Sequence, residues 1–125
     1  MNIFKLMIVF ILAVYSTNLL AYGSSSSKKA CAKPKFTQFT PVHLSVVSAQ
    51  SEFSFLASSL TSPASIKVSV KKQPVEVKIN KMNNGYSVTG KLPATLQNTY
   101  ARIDIKATGT NKCKANDGWL LKIED

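Results

Sequence analysis

Residues 92–125 read LPATLQNTYARIDIKATGTNKCKANDGWLLKIED. Leu92-Pro93 opens a polar connection that runs to Tyr100. Ala101, Ile103, Ile105 and Ala107 then alternate with Arg102, Asp104 and Lys106, the period of a strand buried on one face. A turn rich in Gly, Asn and Asp follows. Trp119, Leu121 and Ile123 restore the alternation and face inward. Strand, turn and closing strand make an antiparallel pair, so the domain ends as an all-β protein ends.

Working back from this pair, the same period recurs. Val75, Val77 and Ile79 alternate with Glu76, Lys78 and Asn80, and Ile66, Val68 and Val70 alternate with Lys67, Ser69 and Lys71. Between them and the C-terminal pair, Tyr86, Val88 and Gly90 continue beyond Asn83-Asn84-Gly85, a hairpin turn signal because Asn-Gly tolerates positive φ. Glu52 to Ala57 places Phe53, Phe55 and Ala57 on one face. Phe36 to Val47 holds one or two strands broken at Pro41, which belongs on an edge or at a bend. Phe36 and Phe39 fall on opposite faces of a regular strand, leaving one of them exposed. No segment sustains a helical period. About seven strands in roughly 90 residues is the count of an antiparallel β-sandwich.

Residues 92–105 resemble the corner and penultimate strand of fibronectin-III and bacterial immunoglobulin-like domains, in which a Leu precedes a Tyr whose hydroxyl closes onto nearby backbone. Asp117-Gly118 before Trp119–Ile123 is similar to the entry of their last strand. The resemblance implies an immunoglobulin-like, fibronectin-III-like sandwich, with Tyr100 as the corner tyrosine. Antibody-type domains carry a Cys two residues past that Tyr, where Arg102 stands here. Such folds host unrelated functions.

The N-terminus reads as an address. One cation (Lys5), ten apolar residues (Leu6–Tyr15) and a small polar region to Gly23 have the layout of a secretory signal peptide, residues 1–23. Cleavage after Ala21 is the alternative. An uncleaved anchor fits less well, because ten apolar residues span only about half of a bilayer core. Cys31 is too far downstream for a bacterial lipid anchor. The expected exported chain has 102 residues: a Ser/Lys-rich arm, 24–35, and a sandwich domain, 36–125. No later segment is apolar enough to cross a membrane. In an exported domain the two cysteines, Cys31 and Cys113, are expected to pair. Location is therefore read as periplasmic or extracellular.

The sequence has 16 Lys+Arg against 6 Asp+Glu. Without Lys5 the exported chain keeps 15 cations and a net charge of +9, and Arg102 is its one arginine. Lysine is a hydrated point charge, so the balance points to diffuse attraction of anions more than to bidentate recognition. It also keeps sheet edges soluble. Two basic clusters stand out. If residues 66–79 form one hairpin, Lys67, Lys71 and Lys78, with Lys72 and Lys81 nearby and Glu76 as the one offset, share a sheet face. A disulfide would bring a second set, Lys28, Lys29, Lys33 and Lys35, beside Lys112 and Lys114. Such faces suit an acidic protein or an anionic envelope component. The scarcity of Arg and of interleaved aromatics argues against nucleic acid.

Catalysis and metals find little support. His43 is the sole histidine and more often a strand residue than a ligand. A copper carrier wants several His and Met together, and Met82 has no His beside it. No paired carboxylates, G-x-S-x-G or Gly-rich phosphate loop occur. The expectation is a non-enzymatic accessory or binding protein with no cofactor and no metal. The alternatives are a structural subunit pairing through edge strands Phe36–Val47 or Trp119–Ile123, and a carrier of metal or small substrate.

Overall fold

A computed structural model describes residues 31–125. The expected signal peptide and residues 24–30 of the expected arm lie outside the described residues, and Lys28 and Lys29 with them. The described residues form nine strands: β1 (Phe36–Thr40), β2 (Val46–Val47), β3 (Glu52–Ala57), β4 (Lys67–Val70), β5 (Gln73–Val75), β6 (Val77–Met82), β7 (Gly85–Lys91), β8 (Thr99–Thr108) and β9 (Lys114–Ile123). They form a four-stranded sheet in the order β1-β3-β7-β6 and a five-stranded sheet in the order β2-β9-β8-β4-β5. The chain is a β-sandwich tied by one disulfide, Cys31–Cys113.

The alternation read from the sequence becomes the core. Phe53, Phe55 and Ala57 of β3 face Ile103 and Ile105 of β8 and Trp119, Leu121 and Ile123 of β9, all buried. Trp119 sits among aromatics of the opposite sheet, its ring centroid 6.0 Å from that of Phe53 and 6.1 Å from that of Phe55. Burying each such side chain contributes roughly 1.5–3 kcal/mol, so this cluster is the main adhesive between the layers.

Four expectations need correction. Residues 66–79 are not one hairpin. β4 pairs with β5 only from Val68↔Val75 to Val70↔Gln73, whereas β6 pairs with β7 in the other sheet. The chain changes sheet at Glu76. Val75 and Val77 both pack against the core, one from each layer, which is why their alternation passes unbroken through the crossing. This split, with the short β2, raises the strand count from about seven to nine.

Phe36 and Phe39 do not part to opposite faces. The β1–β3 register shifts between Thr37 and Thr40, and Gln38 has φ 56°. The extra residue turns Phe39 inward, 4.8 Å from Trp119 between ring centroids. Tyr100 is not a corner tyrosine. It is 55% exposed, because it shares its phase on β8 with Arg102 and Lys106, and among the described residues its hydroxyl has no hydrogen-bond partner. Lastly, Trp119–Ile123 is not an edge, since β9 lies between β2 and β8. The turn at Asn83-Asn84-Gly85 stands where expected, with the positive φ at Gly85, 145°.

Candidate functional site on the five-stranded sheet

β8 and β9 pair without interruption from Thr99↔Ile123 to Thr108↔Lys114. Their inward residues are fixed by the core, so the residues between must face out. On β8 these are Tyr100, Arg102, Asp104 and Lys106; on β9, Lys114, Asn116, Leu120 and Lys122. β4 adds Lys67, directly opposite Lys106. The outward positions of β4, β8 and β9 thus carry Lys67, Arg102, Lys106, Lys114 and Lys122 against one carboxylate, Asp104. That carboxylate is engaged, since Arg102 Nε donates to Asp104 Oδ1 at 2.8 Å.

The Arg102 side chain lies along the sheet because position 118 is glycine. A Cβ on Gly118 would meet the Ile103 carbonyl and stand 3.1 Å from an Arg102 guanidinium nitrogen. The arginine is therefore laid flat, and it borders a shallow hollow of about 640 Å³ shared with Lys72, Asp104, Lys106, Asn116 and Asp117. Beside it, where β5 leaves for the other sheet, a second hollow of about 810 Å³ is lined by Lys67, Glu76, Asp104 and Lys106. The two hollows share Asp104 and Lys106, and their lining sets Lys67, Lys72, Arg102 and Lys106 against Glu76, Asp104 and Asp117.

The lysines singled out in the sequence are distributed differently from expectation. Lys67 lies on this face. Lys71 and Lys72 form the β4–β5 turn, with φ 48° and 68°, and Lys71 Nζ donates to Thr99 Oγ1 at 2.9 Å. Lys78 and Lys81 are on β6 in the four-stranded sheet, so the five do not share one face. In the second cluster, the disulfide holds residues 32–34 against the β8–β9 turn: a Cβ on Gly109 would come within 2.5 Å of the Ala32 carbonyl. Exposed Lys33 and Lys35 are thereby brought to the end of the sandwich that carries Lys112 and Lys114, and Lys114 continues the row toward Lys106. The sequence reading missed Lys106, Lys122 and Arg102 as members. Their shared phase on paired strands was the available signal.

His43 Nδ1 accepts from the backbone N–H of Leu120 at 3.2 Å. Met82 ends β6 in the other sheet. Among the described residues no three His, Cys, Asp or Glu gather as a metal site.

No family model and no curated protein matches the sequence. Solved structures do match the fold. The chain is similar to CopC from Methylosinus trichosporium OB3b, with 11% identity over 73% of this chain and 93% of that one, at TM-score 0.57. It is also similar to PcoC, a methionine-rich copper resistance protein from Escherichia coli, with 17% identity over 74% of this chain and 100% of that one, at TM-score 0.53. At these identities the likeness is one of architecture. A copper centre does not fit the donors present. The whole sequence has one His, and its three Met are Met1, Met7 and Met82, whereas copper is held by several imidazole or thioether ligands together.

Proposed function

We propose that this chain is an exported, non-enzymatic binding module that presents the outer face of its five-stranded sheet to an anionic partner, an acidic protein or another anionic component of the envelope. The observation that carries this reading is the direct opposition of Lys67 and Lys106 across β4 and β8. Like charges at cross-strand positions destabilise a sheet by some tenths of a kcal/mol to about 1 kcal/mol. Of the acids that line the hollows, Asp104 is already held by Arg102, and Glu76 and Asp117 offset the cations only in part. An anion bound in the adjoining hollow relieves that repulsion.

The test is capture from envelope extract at low and high salt, with Lys67→Glu/Lys106→Glu alongside. A partner retained at low salt, and lost both at high salt and in the variant, supports this face, because exposed charge pairs are screened within about 8–10 Å at ordinary ionic strength. A partner that survives both changes refutes it.

The likeness to a copper resistance protein favours one second reading, carriage of a metal ion. It would rest on His43 alone and require its ring to release Leu120, because an Nδ1 that accepts the Leu120 N–H leaves the proton on Nε2. Titration with Cu(I) and Cu(II) decides it: binding that His43→Gln abolishes would support carriage, and absence of binding would end it.

A further inference from the structure

We infer that the loop Val42–Val46, with the adjoining end of the five-stranded sheet, seats on an anionic phospholipid surface. This site meets the Lys67–Lys106 face at Arg102 but does not depend on Lys67 or Lys106 binding anything.

Val42, Leu44, Val46 and Tyr100 are 67%, 55%, 57% and 55% exposed, four of the five large exposed hydrophobic residues among those described. They are neighbours. Val46 pairs with Lys122 and Lys122 with Tyr100, so Val46, Lys122 and Tyr100 form one row across the outer face. Lys122 Nζ stands 5.7 Å from the Tyr100 ring centroid. In the next row Leu44 N donates to the Leu120 carbonyl at 2.7 Å, and Leu120 pairs with Arg102. Apolar side chains and two cations thus share one end of the sheet.

The loop is built and held. Besides the Leu44 bond, Lys122 N donates to Ser45 O at 2.9 Å, Leu120 N to His43 Nδ1 at 3.2 Å, and Trp119 Nε1 to Pro41 O at 2.8 Å. Within it Leu44 adopts φ 69°, a left-handed conformation that suits Gly or Asn and is unfavourable for Leu. Neither its backbone nor its exposed side chain gains stability from being leucine. A residue that strains the backbone and leaves most of its side chain in water points to a use outside the fold.

The chemistry of the patch selects the occupant. A stable protein interface draws on roughly 20–30 residues a side, far more than this group. A bilayer surface needs only a few apolar tips, a tyrosine at headgroup depth and cations for the phosphates. Lys122 and Arg102 supply the cations. Glu124 and Asp125 bound the patch beyond Val46, where Glu124 N donates to Val47 O, so the lipid surface meets it from the Lys122–Arg102 side.

The experiment is sedimentation of the protein, recovered after export, with vesicles of phosphatidylglycerol and phosphatidylcholine against phosphatidylcholine alone. Wild type is expected to favour the anionic vesicles. Leu44→Asn should weaken that binding about tenfold or more while leaving the melting temperature unchanged or higher, which a structural role for Leu44 would not allow. Lys122→Gln should weaken it too, and Glu124→Gln/Asp125→Asn should tighten it. Lys67→Gln/Lys106→Gln should change it by less than about twofold. Wild type that stays in the supernatant with both vesicles overturns the inference. So does binding that falls with the Lys67/Lys106 variant and not with Leu44→Asn.

Discussion

The indole N–H of Trp119 donates to the carbonyl of Pro41 across 2.8 Å. Trp119 is the residue on which Phe39, Phe53 and Phe55 converge, and Pro41 opens the loop that carries Val42, Leu44 and Val46. A single polar contact therefore ties the most exposed apolar segment of the described domain to the buried tryptophan at the centre of its aromatic cluster.

Trp119→Phe keeps an aromatic in the core and removes the donor. Loss of the bond and of some packing is expected to cost about 1–3 kcal/mol, read from the urea midpoint. Amide exchange at Leu44 and Lys122 should quicken more than exchange in β3 and β7, because the loop is released while the opposite sheet is not. Equal quickening throughout would refute the tie.

Gly85 opens β7 at φ 145°, and a Cβ there would run into the carbonyl oxygen of Ala57. Gly85→Ala should destabilise the domain by about 2 kcal/mol or more, with a matching fall in melting temperature. A change under about 0.5 kcal/mol would show that the β3–β7 pair yields easily at this end.

Cys31 and Cys113 are separated by 82 positions. Replacing both by Ala should lower stability by an amount on the order of 4 kcal/mol, if constraint of the unfolded chain dominates. Denaturation of wild type with and without reductant, compared with the double variant, checks it. Reductant should have no effect on the variant.

Lys106→Glu turns the opposed pair with Lys67 into an attractive one. Stability at low salt is expected to rise by some tenths of a kcal/mol to about 1 kcal/mol, and the gain should fade as salt is added. Retention of an anionic partner should fall in the same variant. Stability and binding moving in opposite directions is the signature of a face shaped for a ligand.

The sandwich itself was legible because burial on one face imposes a period of two, and Phe53/Phe55/Ala57, Ile66/Val68/Val70 and Ile103/Ile105 carry it plainly. The change of sheet at Glu76 was not. Val75 and Val77 approach the same interior from opposite layers, so the sequence shows one continuous strand where the fold has two. Phe39 was misplaced for a related reason: one extra residue at Gln38 reverses the phase, and nothing in Phe36–Thr40 announces it.

Tyr100 is the instructive case. Resemblance made it a corner tyrosine, while its own phase, shared with Arg102 and Lys106, already put it outside. The periodicity was the better guide. The basic face was half legible for the same reason. Lys67 was found, but its neighbour Lys106 lies 39 positions away and only strand pairing joins them.

β8 and β9 are paired along their whole length, and this has a mechanical consequence. Lys106 and Tyr100 are six positions apart on one continuous strand, about 20 Å at the rise of an extended strand. The ribbon fixes that distance as a ruler does. A lipid surface at the Tyr100 end and an anionic group at the Lys106 end can be engaged together only when their own spacing matches it. Where it does, the first contact raises the effective concentration for the second, and two weak attachments become one of high avidity.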